Sequence, residues 1–138
     1  MNRMLRTAVT VMLGLSGGLA PFAAWAQSSQ GQPAETITIR LSNFAFAPAQ
    51  LHLRVGVPVR LHLVNDSSGG HSFSAPALFA ASAYPSGGPP QDGTVQIAAG
   101  GSVDITLVPR AAGTYKLECT HFLHSTFGMT GTIVVAGS

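Results

Sequence analysis

Gly113-Thr114-Tyr115-Lys116-Leu117-Glu118-Cys119-Thr120-His121-Phe122-Leu123-His124-Ser125-Thr126-Phe127-Gly128-Met129-Thr130-Gly131-Thr132-Ile133-Val134-Val135 runs from one strand-like segment, through a donor-rich loop, into another. Between the two strand-like ends, one thiol, two imidazoles and one thioether fall within the eleven residues from Cys119 to Met129. Cys119 is the only cysteine of the chain, so it cannot pair within it. A lone thiol is a buried inert side chain, a metal ligand, a catalytic thiolate or half of an intermolecular bridge.

Upstream, the same strand character recurs. Thr36–Leu41, Leu51–Val55 and Val59–Val64 alternate apolar and polar residues, and Asn65-Asp66-Ser67-Ser68-Gly69-Gly70 ends the third run. Alternation with period two marks strands buried on one face. His52 and His62 fall on the polar phase and are expected at the surface. Ser72–Ser74 reads as a short strand after His71, and Ala77–Tyr84 as a short helix after Pro76. Pro85–Gly93 is loop by composition. Thr94–Ala98 and Ser102–Val108 return to strand, with Pro109 closing the latter. About seven or eight strands and at most one short helix predict an all-β fold, a Greek-key β-sandwich.

The first residues read differently. Arg3 and Arg6, an apolar run from Thr7 to Leu19, and Ala24-Trp25-Ala26 before Gln27 have the layout of a secretory signal peptide over residues 1–26. Residues 27–35 are expected to form a flexible mature N-terminus, and 36–138 the domain. Without residues 1–26 the 138-residue chain leaves 112, enough to bury a core without a metal or disulfide. In that part Arg40, Arg54, Arg60, Arg110 and Lys116 balance Glu35, Asp66, Asp92, Asp104 and Glu118. No basic face points to nucleic acid. No second apolar run follows the leader to span a membrane.

His71, after Gly69-Gly70, is the candidate that completes the loop's donors. Two histidines, a cysteine thiolate and a weak axial methionine make the donor set of a blue-copper site. Thiolate and thioether favour Cu(I), while imidazole suits both oxidation states. Zinc does not usually take a thioether. No acyl-transfer signature surrounds Cys119, and a binuclear copper centre would want a second cysteine. Spacing alone leaves His121 open as a competing ligand, a group packed beside the ligands, or an exposed side chain.

Cys119-x4-His124-x4-Met129 with His71 upstream resembles the cupredoxins, the plastocyanin and azurin family, at their azurin and auracyanin end. The flanks Gly113–Cys119 and Met129–Val135 resemble that family's last two strands, and Asn65–Phe73 its first histidine segment. The resemblance spans Glu35 to the C-terminus. It implies one copper ion held by His71, Cys119 and His124 with Met129 axial, and a hydrogen bond from Ser72 to the cysteine sulfur. It implies an exported electron carrier cycling Cu(II)/Cu(I), not an enzyme, located in a bacterial periplasm. Such a carrier is expected to be a monomer that meets redox partner proteins transiently near His124. Copper capture or delivery is the alternative; the loss of Met1, Met4 and Met12 with the leader speaks against it. Ala75–Gly93 has no counterpart in the resemblance, and its role is left between a cap on the site and a partner contact.

Overall fold

The alternation in sequence becomes a pair of facing sheets. In a computed structural model, residues 33–121 and 129–138 are described. The expected leader over residues 1–26, residues 27–32 of the expected flexible N-terminus, and the candidate ligand His124 lie outside them. Ten strands and one short helix follow in order: β1 Glu35–Ser42, β2 Ala45–Ala47, β3 Gln50–Arg54, β4 Val59–Asn65, β5 His71–Ser74, α1 Pro76–Ala80, β6 Ser82–Ala83, β7 Thr94–Ile97, β8 Ser102–Pro109, β9 Gly113–Glu118 and β10 Thr130–Ala136. One sheet has the order β2-β1-β4-β8-β6, the other β3-β10-β9-β5-β7. This is the expected β-sandwich, with two strands, β2 and β6, beyond those the alternation marks.

In the first sheet the inward positions line up across strands. Ile37 and Leu61 pair in the parallel β1–β4 ladder, as do Ile39 and Leu63. Leu61 pairs in turn with Ile105, and Leu63 with Val103, in the antiparallel β4–β8 ladder. Ile39, Leu61 and Leu63 are fully buried, whereas Thr38, Arg40 and Arg60 face outward. Such rows are the side-chain unit that stabilises a sheet and fixes its register. The second sheet answers with Leu51, Leu53, Phe73, Val95, Ile97, Leu117, Ile133 and Val135 in the same core.

β10 is pressed against the chain before β3. A Cβ on Gly131 would stand 2.6 Å from the Ala49 carbonyl oxygen and 3.0 Å from a Leu117 methyl. The position therefore needs glycine for the close approach that lets Thr132 N–H bond to Ala49 O at 2.9 Å.

The Ala75–Gly93 segment is folded onto the side of the sandwich. Pro76 opens the one-turn helix, where a proline's missing N–H costs nothing. Leu78 and Phe79 are buried, and Phe79 packs against Phe73 with ring centroids 6.1 Å apart. β6 then pairs with the end of β8, covering an edge of the first sheet. The helix is shorter than the sequence suggests because the chain turns into this strand at Ser82. Tyr84 O–H donates to Phe79 O at 2.9 Å, and burial pushes its phenol pKa up. No helix among the described residues is long and apolar enough to cross a membrane.

Candidate metal centre

Three of the four sequence candidates, His71, Cys119 and Met129, are described, and all three are buried at one end of the sandwich. His71 opens β5, Cys119 directly follows β9, and Met129 directly precedes β10. The β9–β10 pairing continues one step past the strands: Cys119 N–H donates to Met129 O at 3.1 Å. That bond holds the two sulfur residues at the same level of the sheet. His71 Nδ1 stands 3.9 Å from Cys119 Sγ. An ion about 2.3 Å from a thiolate and about 2.0 Å from an imidazole nitrogen holds those atoms roughly 3.5–3.7 Å apart. The pair is thus within a few tenths of an ångström of joint ligation, and the residues fit a soft metal ion. Among the described residues no three His, Cys, Asp or Glu side chains gather as a metal group. This follows from the donor set: beyond His71 and Cys119, the candidates are a methionine and His124.

The sulfur sits beside Ser72. Ser72 N–H donates to Cys119 Sγ at 3.4 Å, and Ser72 Oγ lies 3.7 Å from the same sulfur. Ser72 Oγ also accepts from Thr120 N–H at 2.8 Å and shares a proton with Thr120 Oγ1 at 2.9 Å. The expected Ser72 contact is present, and through both backbone and side chain. Thr120, which the sequence reading left unassigned, is what anchors the hydroxyl. Donors to a ligating atom orient it and tune its electron density.

The turn that delivers His71 is pinned from inside by Asn65. Its side-chain NH2 reaches Gly69 O at 2.8 Å and both Ile97 O and Ala98 O at 3.1 Å. Its Oδ1 accepts from Ser67 N–H at 3.0 Å and Ser67 Oγ at 2.7 Å. Asn65 is 1% exposed, so this satisfaction is what makes its burial tolerable. The sequence reading placed Asn65 in the turn after Val64; the structure makes it the last residue of β4. The available signal was its phase, since it continues the inward series Val59, Leu61, Leu63.

His121 is half-buried beside the site. Its Nε2 lies 3.0 Å from Gln96 Oε1, and its ring centroid is 6.4 Å from that of His71. His52 is exposed, as expected. His62 also faces outward, yet it is tied: its Nδ1 lies 2.7 Å from Asp104 Oδ1, while Arg60 donates to Asp104 Oδ2 at 2.7 Å. Hydrogen bonds from Arg60 and then His62 hold the Asp104 carboxyl below its usual pKa.

Among curated proteins none matches the chain. Among solved structures, auracyanin B is similar at 29% identity and a TM-score of 0.58, over 76% of this chain and 91% of that one. An auracyanin from the photosynthetic bacterium Roseiflexus castenholzii, solved after reduction with dithionite, is similar at 22% identity and a TM-score of 0.58. That alignment covers 76% of this chain and 99% of the other, and at such identity it speaks for the fold alone. A family profile for a cupredoxin-like domain matches residues 17–135, nearly the whole chain. With the sandwich, the buried His71–Cys119 pair and the auracyanin likeness in agreement, the chain belongs to the cupredoxin-like family.

Proposed function

We propose that this chain is an exported type 1 copper protein that carries single electrons, with His71, Cys119, His124 and Met129 as its ligands. The observation that carries the reading is the buried approach of His71 Nδ1 to Cys119 Sγ, with Ser72 N–H directed at the same sulfur. Bound copper supplies a one-electron Cu(II)/Cu(I) couple in such a mixed nitrogen and sulfur site. The chain supplies the rest. Burial of His71, Cys119 and Met129 keeps water from the donors. Ser72 N–H withdraws electron density from the thiolate, and the Cys119–Met129 backbone bond limits how far the donors move when the charge changes. Small rearrangement is what fast electron exchange requires.

In this reading the protein is a carrier, not an enzyme, and works as a monomer in a bacterial periplasm after loss of residues 1–26. Its redox partners dock briefly near His124, whose sequence neighbours Leu123 and Phe127 are uncharged, as suits the small interfaces of transient redox encounters.

The test is the visible spectrum of the mature chain with one equivalent of Cu(II), beside Cys119→Ser. An intense blue or green thiolate-to-copper band, lost in the variant, is the expected result. Faint colour that the variant leaves unchanged would remove Cys119 from the site and redirect attention to copper capture or delivery.

A further inference from the structure

His71 is the first residue of its strand, at the end where that strand is least bound to β9. Among the described residues, β5 and β9 are in register at Ser74 and Glu118 alone, three residues from His71. The ladder that locates the His71 backbone is therefore the one to β7, where His71 is opposite Ile97. The other hold is the segment Asp66–Gly70, which leads from β4 into β5. Both holds meet at one side chain. The Asn65 amide nitrogen donates to Gly69 O, two residues before His71, and to Ile97 O, on the residue across the ladder from it.

Asn65 gives both bonds a firm base. It pairs with Leu41 in the β1–β4 ladder, and its N–H donates to Gly101 O at 2.9 Å. Its side chain has one consistent orientation. Gly69 O, Ile97 O and Ala98 O can only accept, whereas Ser67 N–H can only donate, so the NH2 group faces the first three and Oδ1 faces the last. The residue is almost fully buried, which leaves water little access to compete. Every bond of this clamp joins protein groups, and none of them is a metal donor atom, so the clamp does not depend on an ion.

Such a clamp matters twice for a site that exchanges electrons. A donor already in place costs less to order when the ion binds. A donor that cannot follow the ion's change of charge keeps rearrangement small. Cys119 and Met129 have their own tie in the backbone bond between them. We propose that Asn65 is the positioning residue for His71: its amide fixes the ligand's backbone from both sides, with or without copper and in both oxidation states. The part concerning oxidation states rests on the copper reading above.

The experiment uses the full mature chain with Asn65→Asp, which keeps the side chain's shape and loses the NH2 donors, and with Asn65→Ala. Leu61→Ala serves as a variant destabilised within the first sheet. In the metal-free protein, NMR of the His71 ring should give one set of signals in the parent and in Leu61→Ala. Both Asn65 variants should give two sets or exchange-broadened signals. In the copper-loaded protein, the electron self-exchange rate should fall about fivefold in the Asn65 variants, the factor that one net hydrogen bond carries when it is added to a barrier. It should keep the parent value in Leu61→Ala. Asn65 variants that lose stability but keep a single His71 signal and the parent exchange rate overturn the inference. Splitting of the His71 signals in Leu61→Ala overturns it too, because loss of stability alone would then account for the effect. Absence of a thiolate band from the unmutated protein is a separate result: it brings down the copper reading, while the metal-free signals still decide whether Asn65 holds His71.

Discussion

β1 and β4 in the first sheet are joined residue for residue, from Glu35 opposite Val59 to Leu41 opposite Asn65. β5 and β9 in the second are in register at Ser74 and Glu118 alone. The first seam is made of backbone bonds and stacked aliphatic rows, so any well-shaped apolar residue would serve it nearly as well. The second is spread open at the end that holds His71 and Cys119, and individual polar side chains close it. Ser72 bonds across the gap to Cys119 and Thr120, and Gln96, from β7 on the far side of β5, reaches over to His121. A continued ladder would fill the space between the strands with paired backbone. The opening instead leaves the Cys119 sulfur facing His71 and an amide donor. On the copper reading proposed above, stability and function are thus carried by different seams of one sandwich.

The largest effect should come from the first seam. Leu61 is fully buried between Ile37 and Ile105. Leu61→Ala should cost about 2–5 kcal/mol of unfolding free energy, read by urea denaturation. Without urea, where the variant is folded, the copper spectrum should match the parent. A changed spectrum would mean that the two seams are not separable.

Ser72→Ala is the reciprocal case. It removes the hydroxyl that holds Thr120 N–H and lies beside the Cys119 sulfur. Its stability cost should be smaller, about 1–2 kcal/mol for a partly buried hydrogen bond lost. The thiolate-to-copper band and the reduction potential should nevertheless move, because the backbone N–H remains but the sulfur's second donor does not. A shift in stability with both readouts unmoved would make Ser72 a brace only.

The same division explains what could be read from sequence. Alternation gave β1, β3, β4, β7, β8, β9 and β10 nearly to their ends, because a half-buried strand writes its period into the chain. β2 and β6 have three residues and two, too few to show a period. Of the candidate ligands, His71 and Cys119 are indeed side by side, and Met129 is tied by its backbone to Cys119. What stayed hidden were partners chosen by geometry. Gln96 reads as one polar residue of an alternating strand, and its contact with His121 spans 25 positions. Asn65 reads as turn material because asparagine is common there, although its phase marks it as inward. A residue type reports its own chemistry, but a seam closed by side chains depends on how two distant strands splay.

The smallest effect should lie on the outer face of the first seam, where Asp104 joins Arg60 and His62. This cluster is exposed, and exposed pairs contribute little. Its signature is therefore a pH dependence more than a magnitude. The folded-state pKa of Asp104 lies below its ordinary value, so its contribution is fully present above the unfolded-state pKa, about 3.9. That contribution is lost as pH falls through the folded-state value. Asp104→Asn keeps the side chain's shape and removes the charge. The Asp104 part of the stability difference between parent and variant should shrink toward zero as pH falls below about 4. Urea midpoints from about pH 7 down through that range provide the measurement. A difference that persisted at the acid end would assign the Asp104 contribution to shape and neutral hydrogen bonding, leaving no part of the first seam dependent on charge at this position.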